Sequence, residues 1–410
     1  MMLVDRNRRL PLAAARMASA VALLGIMAGC ASPPPRVAAT PEEHGNKASV
    51  PGIEQARVYP LSDTESFVRI GLEAFAREQA AFKAAGKTGA LPPANYLAIS
   101  GGGDNGAFGV GLLTGWKATG KRPEFKLVTG VSTGALIAPF AFLGGDYDNR
   151  LKDLYTSIGP DDIYEARGLL NGLLSDGLAD NSPLFRLVAK HANEQMLDAI
   201  AAEHKKGRIL LVGTTNLDVQ QPVIWDVGAI AASNAPGRLQ LFHRILVASA
   251  AIPGAFPPVM IDVEFDGKPY QEMHVDGGTS AQAFVYPTSL NVKQISQSQG
   301  IKRQRNLYII RNARLDADWA SVERSTVDVI GRSIASLINS QGVGDLYRMY
   351  TQAEKDGVNY NLAFIKPDFT ERHKEEFDTE FMRKLFAYGF EMSKDGYPWQ
   401  EYPPGYSSGQ

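Results

Sequence analysis

The chain has 410 residues, enough for one large domain or two ordinary ones, and its 44% hydrophobic and 21% charged residues are the balance of a soluble globular protein. Forty-two lysines and arginines oppose 44 aspartates and glutamates, so composition offers no electrostatic grip on nucleic acid or on an anionic surface. Recognition then has to come from a shaped site or from an attached anchor.

The first residues read as a secretory leader. Arg6, Arg8, Arg9 and Arg16 form a basic region, and Met17 to Met27 is an apolar stretch too short to span a bilayer as a mature helix, ending in the small residues Ala28 and Gly29. Cys30 is the only cysteine, and Met27-Ala28-Gly29-Cys30 resembles a bacterial lipobox. A lone cysteine cannot staple a secreted fold internally, whereas a lipidated one gives the multi-chain attachment that stable anchoring needs; the alternative is an accidental thiol in a discarded peptide. The expectation is a signal peptide over residues 1–29, lipidation at Cys30 and a membrane-attached envelope protein. Ala31 in place of aspartate resembles lipoproteins sent on to the outer membrane. Pro33-Pro34-Pro35 and the polar stretch to about Gly52 predict a tether over residues 30–54 without a packed core.

Ser62 and Glu65 make a capping-box pattern, and Phe67, Ile70, Leu72, Phe75 and Phe82 then recur at helical spacing. Strands are expected over 96–100, 125–129, 208–214, 222–226, 243–247, 270–275, 307–311 and 362–365. Helices should follow Gly106, Ser132, Pro183, Thr326 and Glu375, with Ser182 as N-cap before Pro183. This alternation predicts one α/β domain from about residue 55 to about residue 400, a mostly parallel sheet covered on both faces, followed by a short tail over 401–410.

Three constellations carry chemistry. Strand Tyr96 to Ser100 runs into Gly101-Gly102-Gly103-Asp104-Asn105-Gly106 and a helical pattern, so glycines let the backbone aim several N–H groups at an anion or an oxyanion. Taken alone, that turn also fits a dinucleotide loop or a structural turn. Glu124, however, precedes its strand rather than ending it, and no Gly-Lys-Ser/Thr follows the loop. Gly130-Val131-Ser132-Thr133-Gly134 then forms the G-x-S-x-G pattern between a strand and a helix, where a sharp turn exposes the serine oxygen. Tyr270 to Val275 ends in Asp276-Gly277-Gly278, a carboxylate at a strand end placed as a general base, or a plain Asp-Gly turn.

In that order, and joined by Ala248-Ser249-Ala250-Ala251-Ile252-Pro253-Gly254-Ala255-Phe256-Pro257-Pro258, these motifs resemble the patatin-like phospholipase family over roughly residues 95 to 290. The resemblance implies a three-layer α/β/α sandwich and a Ser-Asp dyad. It also implies hydrolysis of acyl esters in phospholipids or related lipids, with neither metal nor organic cofactor. Ser132 carries over as nucleophile and Asp276 as base, with the backbone of Gly101, Gly102, Gly103 and Asp104 as oxyanion hole. Asn105 stands where the family often carries a basic residue, which removes a positive charge that would favour an anionic head group.

Of the six histidines, His274 is the rival base, because strand alternation puts it on the face of Asp276. His243 is likewise expected on a strand, His44 in the tether, and His191, His204 and His373 on solvated surface. Leu112, Leu113 and Trp116, with Leu169, Leu170, Leu173 and Leu174, are candidates for an acyl cleft or lid, against ordinary core packing. Lys302-Arg303-Gln304-Arg305 is a candidate head-group contact, against a solvated loop. An acyltransferase or short-chain esterase on the same dyad, and a lipid-binding envelope protein without catalysis, are the competing functions.

Overall fold

The computed structural model describes residues 36–167, 176–316 and 319–406, so Cys30, the leader and the leucines at 169, 170, 173 and 174 lie outside the described residues. In chain order the elements are β1 (Arg57–Val58), α1 (Thr64–Ala84), β2 (Ala94–Ile99), α2 (Gly106–Ala118), β3 (Leu127–Val131), α3 (Thr133–Leu143) and α4 (Asp146–Ser157). Next come β4 (Glu165–Ala166), β5 (Ala179–Asp180), α5 (Ser182–His191), α6 (Glu194–Lys205), β6 (Ile209–Asn216), β7 (Gln221–Asp226), α7 (Val227–Ala232) and α8 (Arg238–Ser249). The chain closes with β8 (Val259–Phe265), β9 (Lys268–Asp276), α9 (Val292–Ser298), β10 (Arg305–Arg314), α10 (Thr326–Asp356), β11 (Asn359–Ile365) and α11 (Thr379–Ser393).

The sheet runs β1-β7-β6-β3-β2-β10-β11, parallel from β6 to β11, while β7, β1 and the β9–β8 hairpin add antiparallel strands. Alternation along the central strands feeds two cores. Leu97, Ile99, Val128, Leu210 and Val212 face α2, α3, α6 and α8, whereas Ala98, Leu127, Leu211, Leu307 and Ile309 face α1 and α10. The sheet is therefore covered on both faces, the three-layer arrangement expected of near-continuous apolar parallel strands. Among the described residues no helix is long and apolar enough to cross a membrane.

Several local expectations are corrected. Residues 243–247 are not a strand but part of α8, because Leu241, Phe242, Ile245 and Leu246 bury one helical face. Strand β8 was not anticipated. It pairs with β9 through a two-residue turn at Asp266-Gly267, both in the left-handed region. The cap of α1 is Asp63, whose carboxylate accepts the Ser66 amide, and α5 is capped at Asn181 with Ser182 already in its first turn.

The expected tether is packed over its described part. Ala48, Val50 and Ile53 are buried, Ser49 exchanges backbone hydrogen bonds with Glu264 of β8 at 3.0 and 2.9 Å, and Arg36 pairs with Asp218. The physical reason is the open edge of β8, whose unpaired amides and carbonyls the incoming chain satisfies. At the other end Tyr406 lies 5.0 Å from the ring of Tyr350, so the described part of the tail also rests on the domain.

Candidate active site

Ser132 sits between β3 and α3 with φ 56° and ψ -129°, a conformation that a side chain adopts only under restraint. Restraint comes from close packing on either side. A Cβ on Gly130 would lie 2.3 Å from the Gly134 carbonyl oxygen, and one on Gly134 would lie 2.2 Å from that of Ile99, so both motif glycines are steric requirements of the turn. The Ser132 N–H donates to Ser249 Oγ at 3.0 Å, and Ser249 in turn donates to the Gly213 carbonyl at 2.7 Å. Ser249 is fully buried at the end of α8, where its family-like segment begins.

The register of β6 brings Asp276 to Ser132. Val131 pairs with Gly213 across the parallel β3–β6 ladder, and Asp276 pairs with Thr214 across the antiparallel β6–β9 ladder, so the ends of β3 and β9 meet over neighbouring residues of one strand. Gly277 allows this approach, since a Cβ there would lie 2.4 Å from the Gly213 oxygen. The Asp276 amide donates to Ala251 O at 2.9 Å, and its carboxylate accepts the Gly278 amide at 2.6 Å. Burial pushes the Asp276 carboxyl up to about 7, against the opposing pull of hydrogen bonding from Ser132 and Gly278.

The glycine loop crosses beside this pair. The point where a Gly101 Cβ would stand is 3.0 Å from Ser132 Cβ and 3.7 Å from Ser132 Oγ. Of the expected oxyanion donors, Gly101 is corrected: its amide is taken by the Gln282 carbonyl at 3.1 Å, a bond made as the chain turns after Asp276-Gly277-Gly278. The amides of Gly102 and Gly103 have no backbone acceptor among the described residues. The Asp104 side chain has a separate task. It is buried and accepts from Phe377 N at 3.2 Å and pairs with His373 Nδ1 at 2.6 Å.

Asn312, Gln282 and Ser249 support the loop and the elbow, and of the three only Ser249 lies in a sequence motif, the Ala248 to Pro258 segment. Buried Asn312 donates to the Ser100 carbonyl at 3.0 Å and accepts the Gly109 amide at 3.1 Å, which staples the end of β2 to α2. A Cβ on Gly102 would lie 2.0 Å from the Asn312 carbonyl oxygen. Gln282 Nε2 donates to Gly278 O at 2.9 Å, so this residue ties the glycine loop to the aspartate loop.

His274 does share the inward face with Asp276, but both ring nitrogens are engaged elsewhere, by Thr214 Oγ1 at 2.9 Å and Glu272 Oε2 at 3.0 Å. Burial holds its pKa below the usual imidazole value. His243 lies on α8 and bonds the Ala192 carbonyl at 2.7 Å. His204, expected on the surface, is buried, and His373 is tied to the glycine loop. Asp104, His373 and Glu376 gather their ligand atoms within 4.8 Å, and both His373 and the Phe377 amide bond Oδ2 of the Asp104 carboxylate.

An apolar cleft opens from Ser132 and Gly103, walled by Leu136, Leu154, Leu187, Ile252, Phe256 and Phe377. Leu112, Leu113 and Trp116 are instead packed in the core beneath α2. The basic run is also structural in part, with Arg303 paired to Glu78 at 2.8 Å and Arg305 donating to Ser296 at 2.6 Å.

No curated protein matches the chain. Among solved structures, that of VipD from Legionella pneumophila is similar over 73% of this chain and 66% of that one, at 12% identity and a TM-score of 0.35. The family model for patatin-like phospholipases matches residues 97–287, a span that contains the glycine loop, the Ser132 elbow and Asp276. The chain therefore carries a patatin-like phospholipase domain over residues 97–287.

Proposed function

We propose that this protein hydrolyses acyl esters of lipids, of the phospholipase A or lysophospholipase type, through an acyl-Ser132 intermediate. The Asp276 carboxylate takes the hydroxyl proton as Ser132 Oγ bonds to the ester carbonyl carbon, and the carbonyl electron pair moves onto oxygen beside the Gly102 and Gly103 amides. Collapse breaks the ester bond, and the leaving alcohol takes the proton from Asp276. Water then gives a proton to Asp276 and attacks the acyl carbon, and Ser132 recovers that proton as the fatty acid departs.

The observation that carries this reading is the register of β6, which sets the buried Asp276 carboxyl against Ser132, where burial pushes it up to about 7. An exposed aspartate with a pKa of about 4 is too weak a base for a serine hydroxyl at neutral pH, and burial removes that mismatch. The remaining barrier falls to the loop amides, where removal of one donor costs about 100-fold to 1,000-fold in comparable sites. The apolar cleft supplies a place for an acyl chain. The protein would work at the bacterial envelope, held to the membrane by lipid on Cys30.

The test is release of fatty acid from phospholipid and lysophospholipid vesicles by the full chain, against Ser132→Ala, Asp276→Asn and the double variant. Each single change should lower the rate by orders of magnitude, with the double little worse, as residues acting as one unit behave. Additive losses would argue that the two side chains do not share a step.

A further inference from the structure

The segment between β11 and α11 reaches the cleft through Phe377 as a strap, tied at Asp104 and, where α11 begins, at Thr379. His373 Nδ1 pairs with the buried Asp104 carboxylate at 2.6 Å, the Phe377 amide donates to the same carboxylate at 3.2 Å, and Thr379 Oγ1 donates to the Ile158 carbonyl at 2.8 Å. Asp104 belongs to the glycine loop beside Ser132, so the strap is tied directly to the loop that carries the oxyanion donors.

Between those ties Phe377 stands at φ 65°, the left-handed region that a bulky side chain avoids unless its surroundings impose it. The imposed conformation has a visible result. The Phe377 ring joins Ser132 and Gly103 in lining the apolar cleft and meets Tyr164 edge-on at 6.5 Å, while Tyr164 in turn packs on Phe256 at 6.2 Å. A glycine or asparagine would satisfy that backbone without strain, so an aromatic ring at this position calls for a reason in what it touches.

We propose that Phe377, held by the Asp104 latch on the strap, is the specificity-determining wall of the cleft and limits the length and bulk of the acyl chain accepted at Ser132. The inference rests on the hydrolase reading above and adds to it the feature of the substrate that the site measures. A wall of this kind discriminates by contact with the chain, where one methylene changes the specificity ratio by about 10-fold to 200-fold in a close-fitting apolar pocket.

The experiment compares kcat/KM of the full chain for a series of p-nitrophenyl esters from butyrate to palmitate. Phe377→Gly removes the ring and relieves the backbone, and the ratio of long-chain to short-chain kcat/KM should rise about tenfold. Phe377→Asn, also at home in the left-handed region, should move the ratio in the same direction. Phe377→Trp should move it the other way. His373→Ala, which loosens the strap but keeps the ring, should raise the ratio by a smaller factor than Phe377→Gly.

A ratio that stays constant while all esters slow together would reduce Phe377 to a structural role and overturn the proposal. Failure of the underlying reading looks different: the unaltered protein would hydrolyse no ester of the series, and a fluorophosphonate would not label Ser132. In that event the specificity assignment falls with it.

Discussion

Ser249 receives the backbone N–H of Ser132 and hands its own proton to the Gly213 carbonyl, so one hydroxyl joins the strained elbow to the strand on which Asp276 is registered. Both partners are buried main-chain groups, each of which needs a hydrogen-bond partner.

Ser249→Ala should therefore leave a donor and an acceptor unsatisfied and lower stability by about 1 to 3 kcal/mol in urea unfolding. Because the nucleophile is set by that bond, kcat should fall by about 10-fold to 100-fold while KM moves little. Unchanged stability with unchanged kcat would mean the elbow holds its geometry through Gly130 and Gly134 alone.

Activity should rise with pH as Asp276 loses its proton and level off above about 7, since only the carboxylate can act as base. Stability should move in the opposite direction. The folded state holds this proton up to about 7, whereas an unfolded aspartate releases it near 3.8, so between those values the native protein binds more protons and stability declines as pH rises. Asp276→Asn should abolish turnover and flatten that decline, leaving the variant more stable than the unaltered protein at pH 8 by thermal melting. A rate profile without an inflection near 7 would remove the aspartate from the proton transfer.

His274→Ala should act on stability rather than chemistry. The imidazole is fully buried between Thr214 and Glu272, and Glu272 also pairs with buried Arg57, so its loss disrupts an internal polar network and should cost about 2 to 4 kcal/mol. Fluorophosphonate labelling of Ser132 in the folded fraction should persist. Loss of turnover in folded protein as complete as that of Asp276→Asn would replace the dyad with a histidine triad.

Cys30→Ala should abolish metabolic labelling with radioactive fatty acid and release the protein from the membrane fraction, while the folded domain keeps its esterase activity. Labelling that survives this substitution would place the lipid elsewhere or remove it altogether.

The motifs were readable in the chain because each is a local steric requirement: a strand end, glycines where no Cβ fits, and one reactive side chain. The architecture followed from apolar runs alternating with helical patterns. Short apolar runs are ambiguous, however, and His243 to Val247 has the composition of a strand but completes a helical face begun at Leu241 and Phe242. Strand β8 does carry a sequence signal, the alternation Ile261-Asp262-Val263-Glu264-Phe265 ending in Asp266-Gly267. Among the supports of the site only Ser249 lies in a motif, and nothing local marks the contact it makes. Ser249 reaches Ser132 across 117 residues, Asn312 reaches Ser100 across 212, and His373 meets Asp104 across 269. Isolated polar residues gain their roles only when the sheet brings distant loops to one edge.

The packing of the chain from Arg36 onward against β8 and β9 shortens the leash. Arg36 is held by Asp218 and the Gln271 carbonyl, and Ala38 by the Gln271 amide, so under the proposed lipidation of Cys30 only the stretch from 30 to 36 would be left to span the distance to the lipid. Six residues, fully drawn out, reach about 20 Å at most, less than the thickness of the hydrocarbon core of a bilayer. A domain tethered in that way would graze its own leaflet. Its substrates would be neighbours in the same membrane, met by lateral diffusion, and lengthening the segment between Cys30 and Arg36 would widen the territory the enzyme can patrol.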